Sequence, residues 1–247
     1  MPSAHTPSWS VIIPAYNEAR RLPAYLEEVV SYFEGLDRTY EVLVVDDGSR
    51  DGTAALVLEA QVAHPAVTLH RLAVNHGKGF AVRAGMLAAR GELRLMADAD
   101  GATPIAELKR LEFAIHAGAD VAVGSRALRD PSVTRQVRLH RKLSGEAFNF
   151  LVRRLGLPDV ADTQCGFKLF RAEAASALFG ELETIGFGFD VELLLLARRR
   201  GYRVTEVAVN WADQPGSKVT VFRDGPRMVR QILAARRRLA RRPKVSP

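Results

Sequence analysis

Apolar residues along this chain follow two alternating rhythms. Trp9-Ser10-Val11-Ile12-Ile13-Pro14 is a short apolar run closed by proline, and Glu41-Val42-Leu43-Val44-Val45-Asp46-Asp47 is a second. Runs of this length, rich in β-branched residues, predict buried strands. Between them Leu22, Tyr25, Leu26, Val29, Val30 and Phe33 recur near every 3.6 residues and stop before Gly35, which predicts a helix. The exchange continues downstream. Asp51-Gly52-Thr53 opens a helix to about Ala63, Val67 to Leu72 reads as a strand, and a helix to about Ala89 follows Asn75-His76-Gly77-Lys78-Gly79. A strand over Leu93 to Ala97, a helix after Pro104 and a strand over Asp120 to Arg126 complete the pattern. Strands alternating with helices predict an α/β fold with a mostly parallel sheet.

In open α/β sheets, ligands lie beyond the carboxyl ends of the strands. Asp47, Asp98 and Arg126 stand at three such ends and are predicted to face one crevice. Asp98-Ala99-Asp100 carries the chemistry: two carboxylates flanking a small residue suit a hard divalent cation and leave positions open for phosphates. The same triplet also occurs in ordinary surface turns, so its place at a strand end is what argues for a site. Gly77-Lys78-Gly79 matches neither common phosphate loop. Val82 stands where a dinucleotide fingerprint needs its third glycine, and no Ser or Thr follows Lys78 as in a Walker loop. Lys78 is either a phosphate contact or an exposed turn lysine. Asp47 to Gly52 resembles the start of a calcium loop, but Leu58 replaces the twelfth-position glutamate and a strand precedes it. Asp47 is better placed to accept a hydrogen bond from a base or ribose.

Composition narrows the class. The 247 residues are 47% hydrophobic and 26% charged, which suits one large domain rather than a disordered chain. Cys165 is the only cysteine, so an intrachain disulfide is excluded and a reducing, cytoplasmic setting is expected. The opening residues Met1 to Ser8 lack the basic and apolar regions of a signal peptide, and no apolar run approaches the ~20 residues of a membrane-spanning helix. The six histidines lack zinc-ligand spacing, and no Ser/His/Asp constellation can be argued.

The net charge is +7, with arginines concentrated over 135–154 and 223–242. Residues Val133 to Leu155 interleave basic and apolar positions and predict an amphipathic helix beside the crevice. Such a helix either packs on the sheet or recognises a lipid with a negative head group. In the tail, Met228, Ile232, Ala235 and Leu239 recur at helical spacing among arginines. A catalytic domain over 1–222 and a basic amphipathic tail over 223–247 are therefore expected, the tail lying on an anionic membrane surface. It lacks the aromatics for base stacking, so nucleic acid is not expected as a partner.

Val11-Ile12-Ile13-Pro14-Ala15-Tyr16-Asn17-Glu18, Val44 to Ser49, Asp98-Ala99-Asp100 and Gly124-Ser125-Arg126 together resemble the family 2 glycosyltransferases of the GT-A fold, a Rossmann-like, mostly parallel sheet flanked by helices. Asn75 to Gly79, Asp98 to Thr103, Asp162 to Phe170, Phe189 to Leu194 and Val209-Asn210-Trp211 are similar more closely to dolichyl-phosphate β-glucosyltransferases, over roughly Ser8 to Leu233. The resemblance implies inverting transfer of glucose from UDP-glucose to a polyprenyl phosphate. It implies that Pro14, Tyr16, Glu18, Asp47, Lys78 and Ala99 hold the nucleotide sugar, and that Asp98 and Asp100 bind Mg²⁺ or Mn²⁺ on the diphosphate. Arg126, Arg141, Gln164 and Lys218 would hold the acceptor phosphate, while Asp190 is a base, a sugar contact or a structural carboxylate, with sugar contact favoured. Two departures stand out: Ala102 replaces a glutamine that would be a third metal ligand in related mannosyltransferases, and the N-terminal membrane anchor of the eukaryotic glucosyltransferases is not seen. Two other readings stay open at this level: a related transferase with another sugar or a non-lipid acceptor, and a non-catalytic nucleotide- or nucleic-acid-binding module.

Overall fold

The computed structural model describes residues 6–36, 38–136, 157, 159–214 and 221–241. The chain begins β1 (Trp9–Ala15), α1 (Leu22–Glu34), β2 (Tyr40–Asp46), α2 (Thr53–Ala63), β3 (Val67–Arg71), α3 (Lys78–Ala88) and β4 (Leu93–Ala97). A 3-10 turn at Ile105–Glu107 leads into α4 (Leu108–His116) and β5 (Val121–Ser125). Then come β6 (Arg135–Gln136), β7 (Phe167–Arg171), α5 (Ala172–Glu181), α6 (Phe189–Arg199), β8 (Val204–Ala208), β9 (Trp211–Ala212) and α7 (Val221–Arg241).

The main sheet has the order β3-β2-β1-β4-β7-β5-β8. Its strands run parallel except β7, which pairs antiparallel with both β4 and β5. Helices cover both faces, which explains why the strand sequences are continuous apolar runs rather than alternating ones. Along β1, Val11 and Ile13 join the core under α1, α2 and α4, while Ile12 joins the core under α3, α5, α6 and α7. Leu95 and Met96 divide the same way on β4. Pro14 lies in β1 beyond the last residue paired with β4, so its missing N–H leaves no gap on that side.

The pattern of the first 126 residues anticipates these elements closely. The structure differs in three places. Strands β7 and β8 were not legible beforehand; β7 carries Lys168 in the middle of its apolar run, and β8 is only half-buried. The helix expected from Val133 does not begin there, because Arg135 and Gln136 pair in parallel with Trp211 and Ala212. Its remainder, including Arg141, lies outside the described residues.

The tail is the third difference. Helix α7 begins at Val221, running across the boundary expected at residue 222, and its stripe Met228, Ile232, Ala235 and Leu239 is buried. Ile232 and Leu239 belong to the same core as α3, α5 and α6. The apolar face that would have entered a membrane is thus spent inside the protein, and burying it stabilises by roughly 1.5–3 kcal/mol per large side chain. Among the described residues no helix is long and apolar enough to cross a membrane. Ile232→Ala should lower the stability of the whole domain by roughly 2–5 kcal/mol. A urea titration checks this: an unchanged midpoint would mean that α7 is an appendage after all.

Candidate active site

The carboxyl ends of β1, β2, β4 and β5 open onto one crevice, and antiparallel β7 delivers its amino end there as well. Asp98 follows β4 directly. Its N–H donates to the Gly166 carbonyl at 3.0 Å, extending the β4–β7 pairing by a residue. This lays the Asp98 carboxylate against Gly166, where an added Cβ would sit 2.0 Å from Oδ2. Only glycine leaves that space. Lys78, the first residue of α3, reaches Asp98 Oδ1 with its ammonium at 2.5 Å.

Asp100 Oδ1 accepts the Ala102 N–H at 3.2 Å, and Oδ2 faces Arg21 Nη1 at 3.4 Å. Burial pushes the Asp100 carboxyl up, and the neighbouring Asp98 charge adds to the rise. Burial alone would lower the Lys78 ammonium, but Asp98, Asp190 and Asp100 outweigh it and hold it above its ordinary value. Asp98 and Asp100 are the pair able to hold a hard cation. Among the described residues no cluster of three or more His, Cys, Asp or Glu is arranged for a metal. Two carboxylates with substrate oxygens and water completing the shell is a donor set that suits Mg²⁺-like ions.

The remaining expected nucleotide residues separate by what their side chains already do. The Asp47 carboxylate accepts the N–H groups of His76 and Gly77, each at 2.8 Å, and the Asn75 amide at 2.9 Å. It shapes the loop before α3, where Gly77 has φ 108°, and so positions Lys78. Both Glu18 oxygens accept from Arg21, at 2.6 and 2.7 Å, and so aim Arg21 at Asp100. Tyr16 is half-buried beyond β1, and Pro14 is half-buried at its end. Ala99 is 5% exposed and belongs to the core cluster that holds Tyr25 and Leu26, so a ligand would meet its backbone.

On the other side of the crevice, Arg126 is held by Asp162, with Nε on Oδ2 at 2.7 Å and Nη2 on Oδ1 at 2.9 Å. Its guanidinium lies over the Trp211 ring at 5.5 Å. The Gln164 backbone N–H also donates to Asp162, while its Nε2 and the Thr163 hydroxyl are buried with no hydrogen-bond partner among the described residues. Buried polar atoms are rarely left unpaired, so these two are free to serve as hydrogen-bonding groups for a ligand at Arg126. Arg141 and Lys218, expected at the acceptor phosphate, lie outside the described residues.

Asp190, in the first turn of α6, is 3% exposed and receives Lys168 Nζ on Oδ1 at 2.5 Å. Burial pushes this carboxyl up against the opposing pull of Lys168 and Lys78. With one oxygen on a buried lysine, it is a counter-ion first, whatever it offers a sugar. Lys168 is fully buried and also donates to the Cys165 carbonyl at 2.6 Å. The motif Asp162 to Phe170 contains Asp162 and Lys168, but the sequence assigns no site role to them or to Arg21. The one local signal was Lys168 itself, a charge inside an apolar strand, which demands a buried partner. Burial pushes the Cys165 thiol up to about 11, which removes it as a nucleophile at neutral pH.

Comparison with known proteins agrees with this geometry. The profile of Glycosyl transferase family 2 matches residues 10–179. The chain is 39% identical to the human dolichyl-phosphate β-glucosyltransferase, covering 94% of this chain and 76% of the relative. It is 42% identical to the Drosophila melanogaster protein of the same name, covering 86% and 69%. Among solved structures, glucosyl-3-phosphoglycerate synthase from Mycobacterium tuberculosis in complex with UDP superposes with a TM-score of 0.69 at 18% identity, over 93% of this chain and 80% of that one. The same enzyme with Mn²⁺, UDP-glucose and phosphoglyceric acid gives a TM-score of 0.64 at 18% identity, over 93% and 78%. At that identity the likeness establishes the GT-A fold alone; the matched profile and the relatives near 40% identity establish that the chain belongs to glycosyl transferase family 2.

Proposed function

We propose that this protein transfers glucose from UDP-glucose to a polyprenyl phosphate of the dolichyl type, with inversion, at a membrane surface. The observation that carries the reading is the arrangement of charge in the crevice. On one side Asp98 meets Lys78 and Asp100 meets Arg21, while Arg126, braced by Asp162 and Trp211, stands on the other. A nucleoside diphosphate and a phosphate acceptor are the two anions such a site would bring together. The names of the relatives supply the sugar and the lipid.

Asp98 and Asp100 would hold Mg²⁺ or Mn²⁺, which when bound supplies positive charge to the departing diphosphate. Lys78, kept charged by the surrounding carboxylates, would neutralise the same group from the protein side. Arg126 would hold the acceptor phosphate, with Gln164 Nε2 as a further donor. An acceptor phosphate is largely ionised at neutral pH, its second pKa being about 6, so its oxygen can attack the anomeric carbon without a general base. The commitment of Asp190 to Lys168 fits a reaction run by positioning and charge neutralisation.

Membrane contact, on this reading, is electrostatic. Three- and four-residue spacing along α7 puts the exposed Arg227, Arg230, Arg237 and Arg241 on one side of the helix, away from its buried stripe. Such a row is attracted to anionic lipid without inserting an apolar face.

Three outcomes are expected. Radiolabelled UDP-glucose with polyprenyl phosphate should put label into the lipid phase, and Asp98→Asn should reduce that transfer by about 10²-fold or more. Label transferred only to water-soluble products would overturn the lipid acceptor. Arg230→Gln with Arg237→Gln should weaken binding to phosphatidylserine vesicles by about 30-fold, at about 1 kcal/mol per charge, and leave binding to neutral vesicles unaltered.

The third outcome concerns pH. Burial alone would raise the Asp162 carboxyl, but Arg126 pulls it down to about 2, below its ordinary 3.8. A depressed carboxylate stabilises the fold above its unfolded pKa and loses that contribution as pH falls through the folded value. Asp162→Asn should therefore cost roughly 2 kcal/mol at pH 7. Urea midpoints of the two proteins should converge as pH falls from about 4 towards 2. A gap independent of pH would show that the carboxylate charge is not what holds Arg126.

A further inference from the structure

We infer that Arg238 and Gln231 of α7 are positioning residues for Lys78, so that the C-terminal helix is part of the diphosphate site. The link is a run of contacts through residues 183–188, which connect α5 to α6. Arg238 Nη2 donates to Glu192 Oε1 at 2.9 Å and to the Thr184 hydroxyl at 3.3 Å, and its Nε lies 3.3 Å from Glu183 Oε2. The other Glu192 oxygen accepts the Thr184 N–H at 2.7 Å. Glu192 is 1% exposed, so Arg238 is the cation that keeps this buried carboxylate, and through it Thr184, in place. About two turns earlier on α7, Gln231 Oε1 accepts the Gly188 N–H at 3.1 Å. A Cβ added at Gly186 would meet the Gln231 amide nitrogen at 2.4 Å. The two side chains thus pin both halves of the connection.

That connection rests directly on the residues flanking Lys78. The Phe80 N–H donates to the Ile185 carbonyl at 3.2 Å. A Cβ at Gly77 would lie 2.6 Å from the Ile185 carbonyl oxygen, and one at Gly79 would lie 2.4 Å from that of Thr184. The backbone on either side of Lys78 is therefore in van der Waals contact with the segment that α7 clamps. Lys78 in turn carries its ammonium to Asp98. A shift of a few tenths of an ångström at Thr184 cannot be absorbed between two backbones packed this closely. It moves the first turn of α3 and the ammonium with it.

This inference rests on the proposed nucleotide-sugar site, and the test separates the two. Dissociation constants for UDP and UMP are measured by calorimetry with Mn²⁺ for the wild-type chain, Arg238→Ala, Gln231→Ala and Arg238→Lys, each at a temperature below its own unfolding transition. The ratio of the two constants isolates the outer phosphate. Arg238→Ala and Gln231→Ala should weaken UDP binding about tenfold with UMP binding little altered, and Arg238→Lys should recover most of the loss. Arg236→Ala, exposed on the same helix, should leave the ratio unchanged. An unaltered ratio in both alanine variants, whether UDP and UMP weaken equally or neither weakens, would overturn the inference. A wild-type chain that binds neither nucleotide would instead overturn the functional reading beneath it.

Discussion

An ionised carboxylate taken out of water must find a cation, and this requirement organises the crevice. Asp98 is matched by Lys78, Asp190 by Lys168, Asp162 by Arg126 and Glu192 by Arg238. Each pair joins elements distant in the chain, so the charges serve as cross-links between helices and strands that the apolar core alone would leave free to slide. Breaking the Asp162, Asp190 or Glu192 pair would leave a buried, uncompensated charge, whereas Asp98 is only part-buried. That cost makes the geometry specific.

Strand β7 is the topological device that lets these pairs form. Because it runs against its neighbours β4 and β5, its amino end rather than its carboxyl end meets their loops. The 162–166 segment is thereby delivered into the crevice with Asp162, Thr163, Gln164 and Gly166, while Lys168 one turn of the pleat inward reaches Asp190. A parallel strand in this place would have sent the same residues to the opposite edge of the sheet. The acid at 98 then lies in the space that a side chain at position 166 would need.

Helix α7 changes in meaning between sequence and structure. Its arginines and its apolar stripe suggested a tail lying on lipid, yet the stripe is core, and two of its polar side chains reach into the segment beneath Lys78. What remains for the proposed membrane contact is the outer row of arginines, which would act by charge at a distance set by screening rather than by insertion. The helix therefore joins the surface of the molecule to the segment packed against Gly77 and Gly79.

Periodicity by itself determined the α/β class, the elements from β1 to β5 and the placing of Asp98 and Asp100 at a strand end, because burial on both faces of a sheet leaves a direct signature in consecutive residues. The ordered motifs determined the family in the same way. Tertiary structure decided the partners. That Asp47 shapes the loop before Lys78, that Ala99 turns into the core, that Asp190 answers Lys168 and that α7 is packed against α6 all depend on contacts between residues far apart in the chain. A charge in a sequence declares only that it needs an opposite. Which opposite it finds is settled by sheet order and strand direction, quantities that no local window of residues encodes.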